Sequence, residues 1–299
     1  MLTKFYRKYV SKGVRDKIYD VFLGNLLFFF RNFSEIIKAK YYYCFQRFLP
    51  DTEKNRCYAF MGRHKLMNLP YPFRLEYDKK RIDCQFDEER GMFFINHFGN
   101  KLYFSKSHRK KEIIYKYRCL IAEQDRRSPH QYVKDMSRLQ GKILFDIGAA
   151  EAMFSLDVIE LVTKVYLFEC EQEWVEALEA TFAPWKDKVE IVCKYVSDTN
   201  DENNITVDRF LEGKEKENLF LKMDIEGYEQ AALRGTTNTF GEAQDIDFSI
   251  TTYHRENDAQ EIAELLRRHN LECEQTEGYF YCRMDGNGLR RAIIRRKIS

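Results

Sequence analysis

The spacing of hydrophobic and polar positions changes character twice along the chain. Residues 1–70 contain many aromatic positions and few turn residues, which predicts helices up to Pro70 and Pro72. From Phe73 to Ser105, short apolar runs alternate with charged or Gly/Asn turns, and this alternation predicts a small β-meander. A further helical stretch is predicted at 111–139.

After Gly141 the pattern becomes a regular alternation of apolar strands and helices. The helix predicted at 151–162 has Phe154, Val158 and Leu161 on one face. A later helix has Ile262, Leu265 and Leu266 on one face. Alternation of this kind predicts a mostly parallel sheet with helices on both faces, which binds ligands at the carboxyl ends of its strands. The predicted strands lie at 142–149, 164–170, 189–196, 219–225 and 245–254, followed by a pair at 271–283 and 290–298.

Two regions are therefore expected in this chain of 299 residues. Residues 1–138 form a helical and β-rich N-terminal region that shapes an acceptor site. Residues 139–299 form a doubly wound α/β domain that binds a cofactor. Eight cysteines without a C-x-x-C pair indicate free thiols in a reducing compartment rather than a zinc site or a disulfide framework.

Positive charge is concentrated at the N-terminus. Residues 1–50 contain ten Lys or Arg and three acidic residues, whereas the net charge of the whole chain is +2. The apolar run at 21–30 is about half the length that spans a bilayer. It predicts either a helix packed on the domain beneath or a basic helix on an anionic membrane surface. No apolar stretch with a small-residue cleavage site follows the basic residues, so we expect a cytoplasmic protein, with peripheral membrane contact left open.

The segment 145–156 has the features of a ligand-binding turn. An apolar strand ends in Asp146, the chain turns at Gly148, and the small Ala149 allows close approach of a ligand. Glu169 ends the second strand 23 residues after Asp146, where a carboxylate can accept hydrogen bonds from both hydroxyls of a ribose.

The absence of two glycines distinguishes between two classes of ligand. A dinucleotide site needs G-x-G-x-x-G, but Ala150 stands where the second glycine would be, and no third glycine is in register. NAD is therefore disfavoured. A nucleoside that carries an amino acid has no pyrophosphate, tolerates the alanines, and would place its amino-acid portion near Asp146 and its ribose on Glu169. This description predicts S-adenosyl-L-methionine as the cofactor.

Three blocks resemble, in order, the motifs of FkbM-type methyltransferases: DIGAAEAMFSL at 146–156, YLFE at 166–169 and LKMDIEGYEQAALRG at 221–235. The similarity spans about 141–254, and residues 117–132 resemble a segment of one subgroup. The resemblance implies a class I, Rossmann-like methyltransferase fold: a mostly parallel seven-stranded sheet with its last strand antiparallel. It also implies transfer of a methyl group to oxygen, often on a sugar or glycan precursor.

One position departs from the family pattern. Relatives usually have glycine at the fourth position after Gly148, whereas this chain has Ala152. An alanine with negative φ in the first helical turn would be harmless, but one that faces the cofactor would weaken binding. A catalytically inactive relative is therefore one alternative.

Candidate catalytic residues end the fourth and fifth predicted strands. Asp224 and Glu226 lie at the end of the fourth strand, and His254 ends the fifth. Methyl transfer to a hydroxyl needs close approach and a base. We favour Glu226 or His254 as the base and Asp224 for cofactor contact, while a structural hydrogen-bonding role stays open for each.

Further cofactor contacts are predicted around the third strand. Ser197 and Asp198 lie where class I enzymes often recognise adenine, and an ordinary turn is the alternative. His130 is predicted to lie near the cofactor, or else to cap a helix. The other histidines have no metal-ligand spacing, and although a magnesium ion on Asp224 is conceivable, no metal site is predicted.

The predicted function is S-adenosylmethionine-dependent O-methylation of a saccharide or lipid-linked saccharide. One alternative is an inactive binding module of the same fold, attached to membrane glycan machinery through the basic residues 1–50. A nicotinamide-dependent oxidoreductase is disfavoured by the missing glycines. Nucleic acid is not an expected partner, because the basic excess lies far along the chain from the cofactor motif and the Asn/Asp-Pro-Pro-aromatic signature is absent.

Overall fold

The computed structural model describes residues 29–243, 245–283 and 288–297. The chain divides into two compact units between Pro70 and Tyr71. Sequence patterning instead placed a functional division after residue 138, and that division stays a prediction. Among the described helices, none is long and apolar enough to cross a membrane.

The first unit contains two helices, α1 (Phe33–Phe45) and α2 (Glu53–Arg63), that pack against each other. The Thr52 side chain accepts a hydrogen bond from the Asn55 amide and so caps the start of α2. Gly62 allows close packing, because a Cβ at this position would collide with the carbonyl of Ala39. The helices predicted before Pro70 are confirmed where the structure describes them.

The second unit begins with α3 (Arg74–Asp78) and an antiparallel meander of β1 (Cys84–Asp87), β2 (Met92–His97) and β3 (Asn100–Tyr103). The predicted meander is confirmed, except that its first residues are helical. Helix α4 (Lys110–Glu123) is shorter than the predicted 111–139. Pro129 disfavours helical backbone at Ser128, so the chain leaves the helix and makes only a 3-10 turn at Met136–Leu139.

A seven-stranded sheet forms the centre of the second unit, in the order β11-β14-β10-β9-β4-β5-β6. Five strands are parallel, and β14 is antiparallel to both of its neighbours. The doubly wound, mostly parallel sheet predicted from the sequence is therefore confirmed. Its strands are β4 (Ile143–Ile147), β5 (Lys164–Phe168), β6 (Val189–Val192), β9 (Leu219–Met223), β10 (Ile246–Thr251), β11 (Cys273–Gln275) and β14 (Ile293–Arg296).

Helices connect these strands and cover the sheet. In α10, Ile262 and Leu266 are buried and Leu265 is partly buried, as the helical spacing predicted. The helices are α5 (Met153–Asp157), α6 (Gln172–Phe182), α7 (Val207–Phe210), α8 (Glu229–Arg234), α9 (Thr237–Glu242) and α10 (Asp258–Arg268). Two small strand pairs join β7 (Tyr195–Val196) to β8 (Asn204–Ile205) and β12 (Phe280–Cys282) to β13 (Gly288–Arg290).

Two further predicted elements are wrong in extent. The helix predicted at 151–162 is only the short α5, which starts after Ala152 because the left-handed backbone of that residue cannot be part of a right-handed helix, and which ends at Asp157. The strand predicted at 189–196 breaks after Val192, and its last residues pair with β8 instead of the main sheet. Both departures lie beside the carboxyl ends of the parallel strands, where the candidate site is found.

Candidate functional site

A cavity of about 840 Å³ opens beyond the carboxyl ends of β4, β5 and β9. Gly148 contributes to its wall from the first of these strands, Glu169 from the second and Asp224 from the third. Three neighbouring strand ends thus meet at one depression, which is the position where open α/β sheets bind ligands.

The turn after β4 requires glycine at one position. Gly148 has φ +80°, and a Cβ there would collide with the backbone carbonyl of Asp224. The amides of Gly148 and Ala149 donate to the carbonyl of Phe168, which ties the turn to β5. Gly148 and Ala150 line the 840 Å³ cavity, whereas Ala149 lines a smaller neighbouring one.

Ala152 does not have the negative φ that would make it harmless. Its φ is +52°, its side chain is buried, and it contributes to the small cavity rather than to the 840 Å³ one. The replacement of the usual glycine by Ala152 therefore adds backbone strain at this position. The alanine methyl group does not occupy the larger cavity.

Asp146 lies behind the turn and not in the wall of the 840 Å³ cavity. Ser155 Oγ donates to its Oδ2 over 2.6 Å, and Lys222 Nζ lies 2.8 Å from its Oδ1. Lys222 also donates to the carbonyl of Gly148 over 2.7 Å. Burial opposes the charge of Lys222, but the carboxylates of Asp146 and Asp224 outweigh it and raise the pKa of the lysine. This buried pair supports the turn from behind.

Sequence reasoning missed Lys222. The sequence nevertheless indicated a special role for this lysine, because it is the single charged residue in the apolar strand at 219–223. The structure shows that all residues of this strand are buried. A buried lysine needs an anionic partner, and the end of the neighbouring strand supplies one.

Glu169 is placed as predicted, at the end of β5 in the cavity wall. Its Oε2 accepts the Ala150 amide and its Oε1 accepts the Glu171 amide, each over 2.9 Å. Each carboxylate oxygen accepts up to two hydrogen bonds. Glu169 is therefore oriented by the backbone and retains capacity for two hydroxyl donors.

Ser197 and Asp198 also line the cavity. Arg234 Nε donates to Asp198 Oδ2 over 2.9 Å, and Ser197 Oγ accepts the Thr199 amide over 3.2 Å. Gly235 follows the last residue of α8 and lies directly against Ser197, because a Cβ there would collide with the Ser197 carbonyl. The end of α8 thus positions this wall.

Asp224 is surrounded by groups that stabilise its negative charge. Tyr132 Oη donates to Oδ2 over 2.7 Å, and Tyr253 Oη donates to Oδ1 over 3.3 Å. Burial acts against ionisation, yet Lys222 and the nearby histidines outweigh it and lower the pKa of Asp224. The two tyrosines were not predicted as site residues, since each lies far from Asp224 in sequence.

His130 lies behind Asp224 rather than in the wall of the 840 Å³ cavity. Its Nε2 is 3.1 Å from Tyr253 Oη and 3.9 Å from Asp224 Oδ2, and the side chain is buried. Burial lowers the pKa of His130 to about 4, although the charge of Asp224 opposes this shift. A neutral His130 therefore packs against the tyrosine that holds Asp224.

His254 lies among three carboxylates. Its Nδ1 is 2.9 Å from Glu229 Oε1, while its Nε2 is 3.6 Å from Asp224 Oδ1 and 3.7 Å from Glu226 Oε2. Burial would lower the pKa of His254, but the hydrogen bond to Glu229 and the charge of Asp224 raise it to about 9. The imidazole is therefore protonated at neutral pH.

Glu226 differs from its neighbours in exposure. Its backbone has φ +56°, and its side chain is 71% exposed in the cavity wall. The structure thus brings Asp224, Glu226 and His254 together as predicted. It adds Glu229, which sequence reasoning treated only as part of a motif.

Aromatic and basic side chains complete the cavity wall. Trp174 is largely buried, whereas Tyr195 and Tyr228 are exposed. Lys116 Nζ lies 4.1 Å from the Trp174 ring centroid and 2.9 Å from a carboxylate oxygen of Glu151. The cavity therefore offers aromatic surface and positive charge beside its carboxylates.

Comparisons with known proteins find one matching family model. Residues 147–273 match the family model described as the methyltransferase FkbM domain. No curated protein matches the chain significantly.

Solved structures similar to this one include several methyltransferases. Methyltransferase FkbM from Methylobacillus flagellatus KT is 18% identical with a TM-score of 0.41, and the match covers 61% of this chain but only 55% of that protein. A precorrin-6y C5,15-methyltransferase from Geobacter metallireducens GS-15 is 14% identical (54% and 86% covered, TM-score 0.35). An rRNA methylase from Streptococcus thermophilus is 9% identical (55% and 92% covered, TM-score 0.36). We draw no functional argument from TM-scores of this size.

Proposed function

We propose that this chain, whose residues 147–273 match the methyltransferase FkbM domain, transfers a methyl group from S-adenosyl-L-methionine to a hydroxyl oxygen. One observation carries the proposal. A single cavity is lined by the turn of Gly148, the carboxylate of Glu169 and the exposed carboxylate of Glu226. A cofactor site and a candidate base thus share one space.

The residues present fit the cofactor. Glu169 is held by two backbone amides and retains acceptor capacity for both ribose hydroxyls. Ser197 and Asp198 would contact the adenine. The Gly148 turn, with Asp146 behind it, would receive the amino-acid portion. S-adenosylmethionine supplies an electrophilic methyl group on a sulfonium sulfur. The missing third glycine argues against a dinucleotide pyrophosphate in the same place.

We infer a saccharide or lipid-linked saccharide as the acceptor. The exposed rings of Tyr195 and Tyr228 in the cavity wall would pack on the apolar faces of sugar rings. Lys116 and Lys194 line the same cavity and would pair with a phosphate or another anionic group. Lys116 lies on α4, which supports the idea that residues before 139 help to shape the acceptor site.

Glu226 is the favoured base. It reaches into the cavity with most of its side chain exposed, whereas His254 is 2% exposed and protonated at neutral pH. The acceptor hydroxyl would give its proton to Glu226 while its oxygen bonds to the methyl carbon. The carbon–sulfur bond breaks in this step, and S-adenosylhomocysteine is left. His254 and Asp224 would hold the charges around the reacting oxygen.

The cofactor assignment is tested by calorimetric titration with S-adenosylhomocysteine and NAD. We expect S-adenosylhomocysteine to bind and NAD to give no heat. Glu169→Ala should weaken binding by about 1 to 3 kcal/mol, because two charge-assisted hydrogen bonds are lost. Glu179→Ala on the exposed face of α6 is the control and should bind like the wild type. Binding of NAD but not of S-adenosylhomocysteine would contradict the assignment.

The catalytic assignment is tested by turnover on candidate saccharide acceptors. Glu226→Gln should lower turnover by about 10²- to 10⁴-fold with little change in cofactor affinity. Asp224→Asn and His254→Ala should also lower turnover, and Asp224→Asn should weaken cofactor binding as well. Full turnover in all three variants would remove these residues from catalysis. Cofactor binding without turnover on any acceptor would favour the alternative of an inactive binding module.

A further inference from the structure

Three side chains that offer metal ligands meet where β9 and β10 end and α8 begins. One oxygen each of Asp224 and Glu229 and one ring nitrogen of His254 all lie within 4.8 Å of one another. Ligand atoms bound at about 2.0 to 2.2 Å to one ion are about 3 to 4.4 Å apart. Small side-chain rotations would therefore give these atoms the spacing of a coordination sphere.

A buried oxygen without a hydrogen-bond partner favours cation binding at this cluster. Glu229 is 0% exposed, and its Oε1 accepts the Ile225 amide and the Thr251 hydroxyl in addition to its contact with His254. Its other oxygen, Oε2, is buried and has no hydrogen-bond partner among the described residues. A buried charged oxygen without a partner costs folding free energy, and a cation beside it would remove that cost.

The distances around His254 agree with this reading. Its Nδ1 is 2.9 Å from Glu229 Oε1, which is near the shortest separation of two ligands on one ion, so Nδ1 is the ring nitrogen that would bind an ion shared with Glu229. His254 itself is 2% exposed, so the imidazole cannot rotate freely into solvent. The sequence did not reveal this set, because Glu229 and His254 lie 25 residues apart on different elements.

We propose that Asp224, Glu229 and His254 bind one divalent first-row transition-metal ion next to the cavity that Asp224 lines. Two carboxylates and one imidazole suit Mn²⁺, Fe²⁺ or Zn²⁺ better than Ca²⁺. Three protein ligands leave further coordination positions, and Asp224 is the ligand that connects the site to the cavity. The ion would lower the pKa of a bound hydroxyl, and this role, though not the site itself, rests on the proposed function.

The test is a titration of the full, chelator-treated chain with Mn²⁺, in which electron paramagnetic resonance measures the concentration of free Mn²⁺ at each step. We expect one Mn²⁺ per chain. Glu229→Gln keeps the shape and the hydrogen-bond acceptor of the side chain and should weaken binding at least about 10-fold, as should His254→Gln. Glu179→Gln, an exposed carboxylate on α6, is the matched control and should bind as the wild type does. Far-UV circular dichroism checks the fold of each variant.

Titration of the same samples with S-adenosylhomocysteine tests the proposed function independently of the metal site. If S-adenosylhomocysteine binds but the wild type takes up no stoichiometric Mn²⁺, the metal site is refuted and the proposed function stands. Folded Glu229→Gln and His254→Gln proteins that bind Mn²⁺ like the wild type also overturn the site. If one Mn²⁺ binds and is lost in both variants, the site is supported, even where S-adenosylhomocysteine fails to bind. Asp224→Asn replaces either variant that does not fold.

Discussion

Ala152 combines a left-handed backbone with a side chain in the core. Its φ is +52° and its ψ is +39°, and the residue is 2% exposed. A non-glycine residue in this conformation costs about 1 to 2 kcal/mol, because Cβ approaches the following carbonyl oxygen. The loop beside the candidate cofactor site therefore stores strain that a glycine would not have.

We predict that Ala152→Gly costs less stability than a buried Ala→Gly change within an ordinary helix. Removing the strain gains about 1 to 2 kcal/mol, while the more flexible unfolded chain costs about 0.4 to 1 kcal/mol and the lost buried methyl group about 0.8 kcal/mol. The free energy of unfolding, measured in urea, should therefore stay within about 1 kcal/mol of the wild-type value.

The control for this prediction is Ala177→Gly in the middle of α6, a fully buried position in an ordinary helix. It should lower the free energy of unfolding by about 1 kcal/mol or more, since glycine is unfavourable within helices and a buried methyl group is lost. An Ala152→Gly protein that loses as much stability as Ala177→Gly would mean that the left-handed backbone of Ala152 stores no strain.

At the scale of elements, the junction of α8 with β7 holds one wall of the cavity. Gly235 ends α8 with φ −78°, which any residue adopts, so its backbone conformation does not require glycine. The requirement comes from packing, because a Cβ there would collide with the backbone of Ser197. Helix and strand therefore approach each other as closely as a glycine allows.

We predict that Gly235→Ala moves this wall. Overpacking of this kind costs about 1 to 3 kcal/mol of stability, and displacement of Ser197 and Asp198 should weaken S-adenosylhomocysteine binding. Gly241→Ala in α9 is the matched control, because a Cβ at Gly241 meets nothing within 4 Å. The control should change stability by less than about 1 kcal/mol. Calorimetry with equal affinities in both variants would show that the wall does not contact the ligand.

At the scale of the whole molecule, the first unit exposes an apolar face on α1. Phe33, Ile37, Tyr41 and Phe45 of α1 follow one another at intervals of four residues, and about half of each side chain is exposed. Residues spaced by four lie on one face of a helix. The chain before residue 29 lies outside the described residues, so the proposed membrane contact of residues 1–50 is supported only by this face and by the basic composition.

We propose that residues 1–50 bind the surface of anionic membranes, and we predict sedimentation of the protein with phosphatidylserine vesicles. Binding should fall steeply as salt rises, because attraction between Lys or Arg and the lipid headgroups is screened. Ile37→Ser with Tyr41→Ser should abolish binding at low salt, whereas Glu53→Ser with Lys54→Ser in α2 should not. Failure to bind vesicles, with aggregation of a chain lacking residues 1–50, would mean that this region is part of the core.

Local patterns were sufficient for the main elements of the second unit and for the polar residues at the ends of its strands. Glu169 could be assigned to the site because an apolar strand rarely needs a carboxylate at its end for structural reasons alone. Asp224 and His254 could be brought together because neighbouring parallel strands end at the same edge of a sheet. Hydrophobic periodicity and turn residues are patterns among residues that are close together along the chain. Such patterns can be recognised in the sequence without knowledge of the fold.

The tertiary structure decided which of these polar residues face the cavity and which support it. Asp146 turned inward to Lys222, and Tyr132 reached Asp224 across 92 residues of chain. The left-handed backbone of Ala152 and the burial of Glu229 also depend on packing between elements distant in sequence. No local pattern encodes such contacts, because the free energy of a buried charge is set by the partners that the folded chain brings to it.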